Sequence, residues 1–138
     1  YIASRFPGRA GVYIGYKDAL AHRIYAGSDL LLMPSLFEPC GISQMIAQRY
    51  GTLPVVRETG GLKDTVAPYN KYTGAGSGFS FAGYDAGELT AVLKIAFSVL
   101  GDSEGWGKLV QSAMTQDNSF RHSAKEYLKL YRQLTSQI

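Results

Sequence analysis

Residues 29–51 read DLLLMPSLFEPCGISQMIAQRYG, and this stretch decides the fold class. Leu30, Leu31, Leu32 and Met33 form a short apolar run without alternation, the pattern of a strand buried on both faces of a parallel sheet. Pro34 stops it, because proline has no N–H to give a ladder. A loop with Glu38, Pro39, Cys40 and Gly41 follows, and then Ile42, Met45 and Ile46 recur on one helical face. The order strand, carboxylate-bearing loop, helix puts Glu38 at the carboxyl end of a strand and beside a helix N-terminus. Open α/β sheets bind their ligands there. The free N–H groups of Gly41, Ile42 and Ser43 are expected to face the same crevice, ready for phosphate.

The pattern extends in both directions. Upstream, residues 1–6 look like the end of a helix closed by Pro7-Gly8. Val12, Tyr13 and Ile14 make a β-prone run that stops at Gly15-Tyr16. Asp18 is placed to N-cap a helix with Leu20, Ile24 and Gly27 on one side. Downstream, Gly51 ends the helix, and Leu53, Pro54, Val55 and Val56 form the next strand, with Arg57 to Leu62 as the loop at its carboxyl end. Three strands separated by helices of about ten residues predict βαβαβ, a parallel sheet with right-handed crossovers.

Residues 68–78 are rich in turn formers and predict a surface loop before a short strand at 79–81. Asp85 and Glu88 have capping-box spacing, with Asp in place of the usual Ser or Thr. Leu89, Val92, Leu93, Ala96, Phe97 and Leu100 form one apolar stripe, and Trp106, Leu109, Val110, Ala113 and Met114 mark a second helix. A last helix from about Ser123 turns Ala124, Tyr127, Leu128 and Tyr131 toward the core. The whole predicts one α/β domain, half of a doubly wound fold with a helical tail.

Composition narrows the function classes. At 138 residues the chain is one domain at most, and 46% hydrophobic residues suit an ordinary globular core. A net charge of +3, spread along the chain without a basic run, gives no argument for nucleic acid. The apolar runs fall far short of the roughly 20 residues a membrane span needs. The chain shows no signal peptide and starts mid-pattern without a methionine. Its single Cys40 excludes an internal disulfide and a cysteine-based metal site, and suits a reducing compartment, so a cytoplasmic location is expected.

Glu38 is the most informative side chain. It can hydrogen-bond sugar hydroxyls or stabilise developing positive charge, or it can simply cap the following helix. Gly60-Gly61 leaves room for backbone N–H groups to approach a ligand, although a glycine pair is also an ordinary turn. Tyr16 follows a predicted strand on the same edge and can stack on a base, but with ten tyrosines in the chain packing is the commoner use for any one of them. Cys40 at a helix N-terminus has the setting that activates thiols, yet no Cys–His arrangement is legible. His22 and His122 lack metal-ligand spacing and read as packing or surface histidines. No P-loop, GxGxxG fingerprint or metal cluster is present in the sequence, which argues against a typical dinucleotide-dependent dehydrogenase.

Three runs together resemble a specific family. They are Pro34-Ser35-x-Phe37-Glu38-Pro39-Cys40-Gly41, then Tyr50-Gly51-Thr52-x-Pro54-x-Val56, then Thr59-Gly60-Gly61-Leu62-x-Asp64-Thr65-Val66. In this order they are similar to the C-terminal domain of bacterial glycogen synthases and plant starch synthases of the ADP-glucose type. Ile14-Gly15-Tyr16 and Ala21-His22-x-Ile24 upstream, and Gly78-Phe79 downstream, extend the likeness over nearly the whole chain.

The resemblance implies a Rossmann-like α/β domain with C-terminal helices, the C-terminal half of a two-domain GT-B glycosyltransferase. It implies retaining transfer of glucose from ADP-glucose to the non-reducing end of an α-1,4-glucan, with no metal or other cofactor. By motif, Glu38 would bind the donor glucose and support the oxocarbenium-like transition state. Cys40, Gly41 and Ile42 would line the sugar and phosphate site, Tyr16 would stack on adenine, and Gly60 and Gly61 would form the glycine-rich loop. Many retaining GT-B enzymes carry a second glutamate eight positions after the first; here that place is Ile46, as is common in ADP-glucose glycogen synthases.

The resemblance further implies that residues 1–138 are the nucleotide-sugar-binding domain without its first elements. The N-terminal domain, its active-site His, and the Arg and Lys that neutralise the leaving pyrophosphate would lie before Tyr1. An uncovered sheet edge is then expected, open to self-association. Two alternatives remain at this level: a retaining transferase using UDP-glucose or another acceptor, and a non-catalytic nucleotide- or glycan-binding module.

Overall fold

The computed structural model describes residues 1–136. Three parallel strands form its sheet in the order β1 (Leu30–Met33), β2 (Leu53–Arg57), β3 (Phe79–Phe81). The helices are α1 (Ile2–Arg5), α2 (Asp18–Gly27), α3 (Ser43–Tyr50), α4 (Gly61–Thr65), α5 (Ala86–Leu100), α6 (Ser103–Met114) and α7 (Phe120–Thr135).

The parallel α/β expectation holds, but the strand count shifts by one. Val12, Tyr13 and Ile14 form no strand; they run as exposed coil, with Ile14 93% exposed. A β-prone run becomes a strand only when another strand accepts its hydrogen bonds, and none lies beside it. The third strand is the one predicted at Phe79–Phe81. β1 is consequently an edge strand, with Leu32 49% exposed, and is not buried on both faces as its apolar run predicts. The strand that is buried on both faces is β2, where residues 53–56 are all buried.

β2 divides the core by its two-residue period. Leu53 and Val55 join Phe79, Phe81, Val92, Ala96, Val99, Leu109 and Ala113 in the larger cluster, beneath α5 and α6. Val56 points the other way, with Leu62 and Val66 packed against it and Met33 alongside. Pro54 is tolerated in this central strand because of where pairing begins. Leu53 donates to Asp29 on the β1 side, 3.0 Å away, so position 54 addresses the β3 side. There the ladder starts only at Val55, opposite Phe79, and no donor is missed.

Two helix assignments need correction. α7 extends Phe120–Thr135 but buries no residue, so Ala124, Tyr127, Leu128 and Tyr131 face outward. Its amphipathic pattern is genuine, yet no element of the described chain covers the stripe. In α5 the buried residues are Val92, Ala96 and Val99, while Phe97 is 60% exposed. Caps also differ in detail. Asp85 accepts from the N–H groups of Gly87 and Glu88 as predicted, but Glu88 reaches back to the N–H of Gly83, at 2.7 Å, and not to Asp85. Asp18 opens α2 as its first residue, and Lys17 holds the cap position.

Candidate active site

The loop from β1 to α3 carries the sequence's candidates, and the loop from β2 to α4 is pressed against it. Gly60, at φ +46, is so close that an added Cβ would collide with the Glu38 carbonyl oxygen and sit 3.1 Å from that of Pro39. A Cβ on Gly61 would meet the Cys40 backbone, its Cα 2.7 Å away. The N–H of Gly61 donates to the Pro39 carbonyl at 3.2 Å. The glycine pair is therefore required first for a backbone-to-backbone seam between two loops at the carboxyl edge of the sheet. The prediction that both loops share that edge is borne out by their contact.

Glu38 is half-buried in this seam, while Cys40 and Ile42 are exposed. The reading of Glu38 as a helix cap is not realised: the N-cap of α3 is Ile42, and no side chain caps it. Among the described residues, the N–H groups of Gly41 and Ile42 donate to no protein acceptor. Gly41 takes φ +74 and is followed by Ile42 at φ −121 and ψ −29. Tyr16 lies outside this cluster, 88% exposed on the coil ahead of α2, its hydroxyl 3.5 Å from Asp18.

The face of α3 that enters the core is polar. Gln44 and Gln48 are buried with Ala47, whereas Ile42, Met45 and Ile46 share the opposite face. Those three line an open groove of about 1140 Å³ between α3 and the start of α7, together with Cys40, Phe120 and His122. On the rim of that groove the Asp117 carboxyl is held below its ordinary range by hydrogen bonds from Ser119. Gln48 Nε2 donates to the Thr65 and Ser77 carbonyls at 3.2 and 3.3 Å. Gln44 Nε2 donates toward the Cys40 and Gly41 carbonyls and Thr65 Oγ1, at 3.2, 3.0 and 3.0 Å. Helical periodicity gives no hint of this, because it assigns polar positions to the solvent side.

Arg57 was equally hidden in the sequence, where it is one more loop residue. Its Nε donates to the Ser35 carbonyl at 2.8 Å and its Nη2 to the Leu36 carbonyl at 2.5 Å, while Nη1 reaches Ala82 at 3.2 Å. The guanidinium thus secures the proximal half of the Glu38 loop to the ends of β2 and β3. His22 is a packing residue as predicted: Nδ1 lies 3.1 Å from the Tyr50 hydroxyl, and its ring contacts Tyr25 and Tyr50.

This arrangement has counterparts in known proteins. The family model described as glycosyl transferases group 1 matches residues 8–115, most of the chain. The chain belongs to that family. Its similarity is high to the glycogen synthase of Caldicellulosiruptor saccharolyticus, with 58% identity over 134 residues, 97% of this chain and 28% of that protein. The glycogen synthase of Clostridioides difficile is 57% identical over the same fraction of each. The catalytic domain of starch synthase IV from Arabidopsis thaliana, solved with ADP and acarbose, superposes with a TM-score of 0.83 at 40% identity, over 98% of this chain and 29% of that one. The chain thus spans little more than a quarter of the length of these relatives. Its parallel α/β fold is that of the C-terminal half of a GT-B glycosyltransferase.

Proposed function

We propose that this chain is the donor side of a retaining hexosyltransferase that moves glucose from ADP-glucose to the non-reducing end of an α-1,4-glucan, as glycogen and starch synthases do. The observation that carries the reading is the seam itself. A half-buried carboxylate, Glu38, stands beside two unpaired N–H groups, of Gly41 and Ile42, where the carboxyl ends of parallel strands meet. The relative solved with ADP shares this fold at 40% identity.

In this reading the Gly41 and Ile42 N–H groups, aided by Cys40, hold the diphosphate at the N-terminus of α3, and Gly60 and Gly61 form the glycine-rich loop near the donor. Glu38 binds the glucose hydroxyls and stabilises positive charge as the anomeric carbon loses its leaving group. Tyr16 closes over the adenine from the coil before α2. The N-terminus of α3 supplies roughly half a positive charge, less than a departing diphosphate demands. Further cations and the acceptor site then come from the rest of the enzyme, its N-terminal domain, and the 138 residues form the C-terminal nucleotide-sugar-binding domain of a cytoplasmic protein. No helix among the described residues is long and apolar enough to cross a membrane.

Titrating the intact enzyme with ADP-glucose and UDP-glucose tests the donor, and tighter binding of UDP-glucose would replace ADP-glucose in the proposal. Glu38→Ala should lower kcat by about a hundredfold or more with glucan elongation as the readout. Unchanged turnover would make Glu38 a purely structural residue. By itself the 138-residue chain is expected to elongate no glucan in a radiolabelled ADP-glucose assay.

A further inference from the structure

We propose that Gln44, fully buried on the core face of α3, is a positioning residue that aims the donor-phosphate N–H groups outward; this deepens the reading above and rests on it. The peptide bond is planar and trans, so each carbonyl points opposite to the N–H of the next residue. Gln44 Nε2 draws the Cys40 carbonyl inward at 3.2 Å and the Gly41 carbonyl at 3.0 Å. The same two peptide planes then turn the N–H groups of Gly41 and Ile42 away from the core. Neither of these two groups donates to a protein acceptor among the described residues.

The amide is itself held. Thr65 Oγ1 accepts from Gln44 Nε2 at 3.0 Å and donates to the Gly61 carbonyl at 2.6 Å, while the Gly61 N–H returns to Pro39 at 3.2 Å. One closed circuit of hydrogen bonds therefore joins α3, α4 and both loops of the seam. Packing does not explain a glutamine here. Its Oε1 is buried without a partner, a burden that leucine or methionine would avoid. What an apolar residue would lack is the NH2 group that turns two carbonyls inward.

The test uses the intact enzyme with ADP and adenosine as probes. Gln44→Leu is expected to weaken ADP about tenfold in calorimetric titration while leaving adenosine unchanged, since only phosphate reads the two N–H groups. KM for ADP-glucose should rise with it. If Gln44→Leu melts as the parent does and binds ADP equally well, or loses ADP and adenosine alike, the positioning role is overturned. Should that variant not fold, Thr65→Val and Thr65→Ser decide. Thr65→Val should lose ADP about threefold and Thr65→Ser should restore it, and a Thr65→Val enzyme with parental ADP affinity overturns the role. A parent enzyme that binds no ADP would instead overturn the donor reading itself.

Discussion

α5 and α7 are nearly equal in length, 15 and 16 residues, and both present an apolar stripe in sequence, yet they meet opposite fates. α5 buries Val92, Ala96 and Val99 against the sheet and joins the larger core cluster. α7 buries nothing, and Tyr127, Leu128, Tyr131 and Leu134 are all exposed. Helical period follows from side-chain spacing, whereas burial needs a partner surface. α5 returns onto the sheet after β3, but α7 departs after the turn at Thr115 and has nothing in the described chain to cover it.

The largest effect should separate the packed region from the tail. Leu109→Ala, at a fully buried site on α6, is expected to lower the urea-unfolding free energy by about 2–5 kcal/mol. Leu128→Ala on α7 should change it by less than about 0.5 kcal/mol. Comparable losses at the two sites would end the contrast. Next in size, Gly60→Ala forces a β-carbon onto the Glu38 carbonyl at φ +46, and should remove at least about 2 kcal/mol together with ADP affinity. Stability lost with ADP binding intact would mean the seam supports the fold without shaping the site.

The smallest effect sharpens the comparison at the caps. Asp85 accepts two N–H bonds at the start of α5, and Asp85→Ala should lower global stability by about 1 kcal/mol. Ser119 accepts one, from His122 at 3.3 Å, at the start of α7. Ser119→Ala is expected to speed amide exchange within α7 alone and leave the global transition where it was.

Much of the site was legible because it is carried by short-range sequence. The strand, carboxylate loop and helix of residues 29–51 lie consecutively, and Gly60-Gly61 announces a close backbone approach before any partner is known. Arg57, Gln44 and Thr65 were not legible. Each acts on carbonyls far along the chain or on the hidden side of a helix, and a carbonyl has no residue type to mark it. The same limit explains Val12 to Ile14, whose β-prone side chains say nothing about whether a neighbouring strand is present.

By itself the sequence determined the α/β class, the strand that precedes the Glu38 loop, the helix that follows it and the glycine pair that can approach it, because these depend on local conformation and apolar spacing. Only the tertiary structure decided which strand is central, which face of α3 enters the core, and that a buried amide turns the Cys40 and Gly41 carbonyls inward. Those outcomes depend on which surfaces meet, and surfaces meet only once the chain has folded.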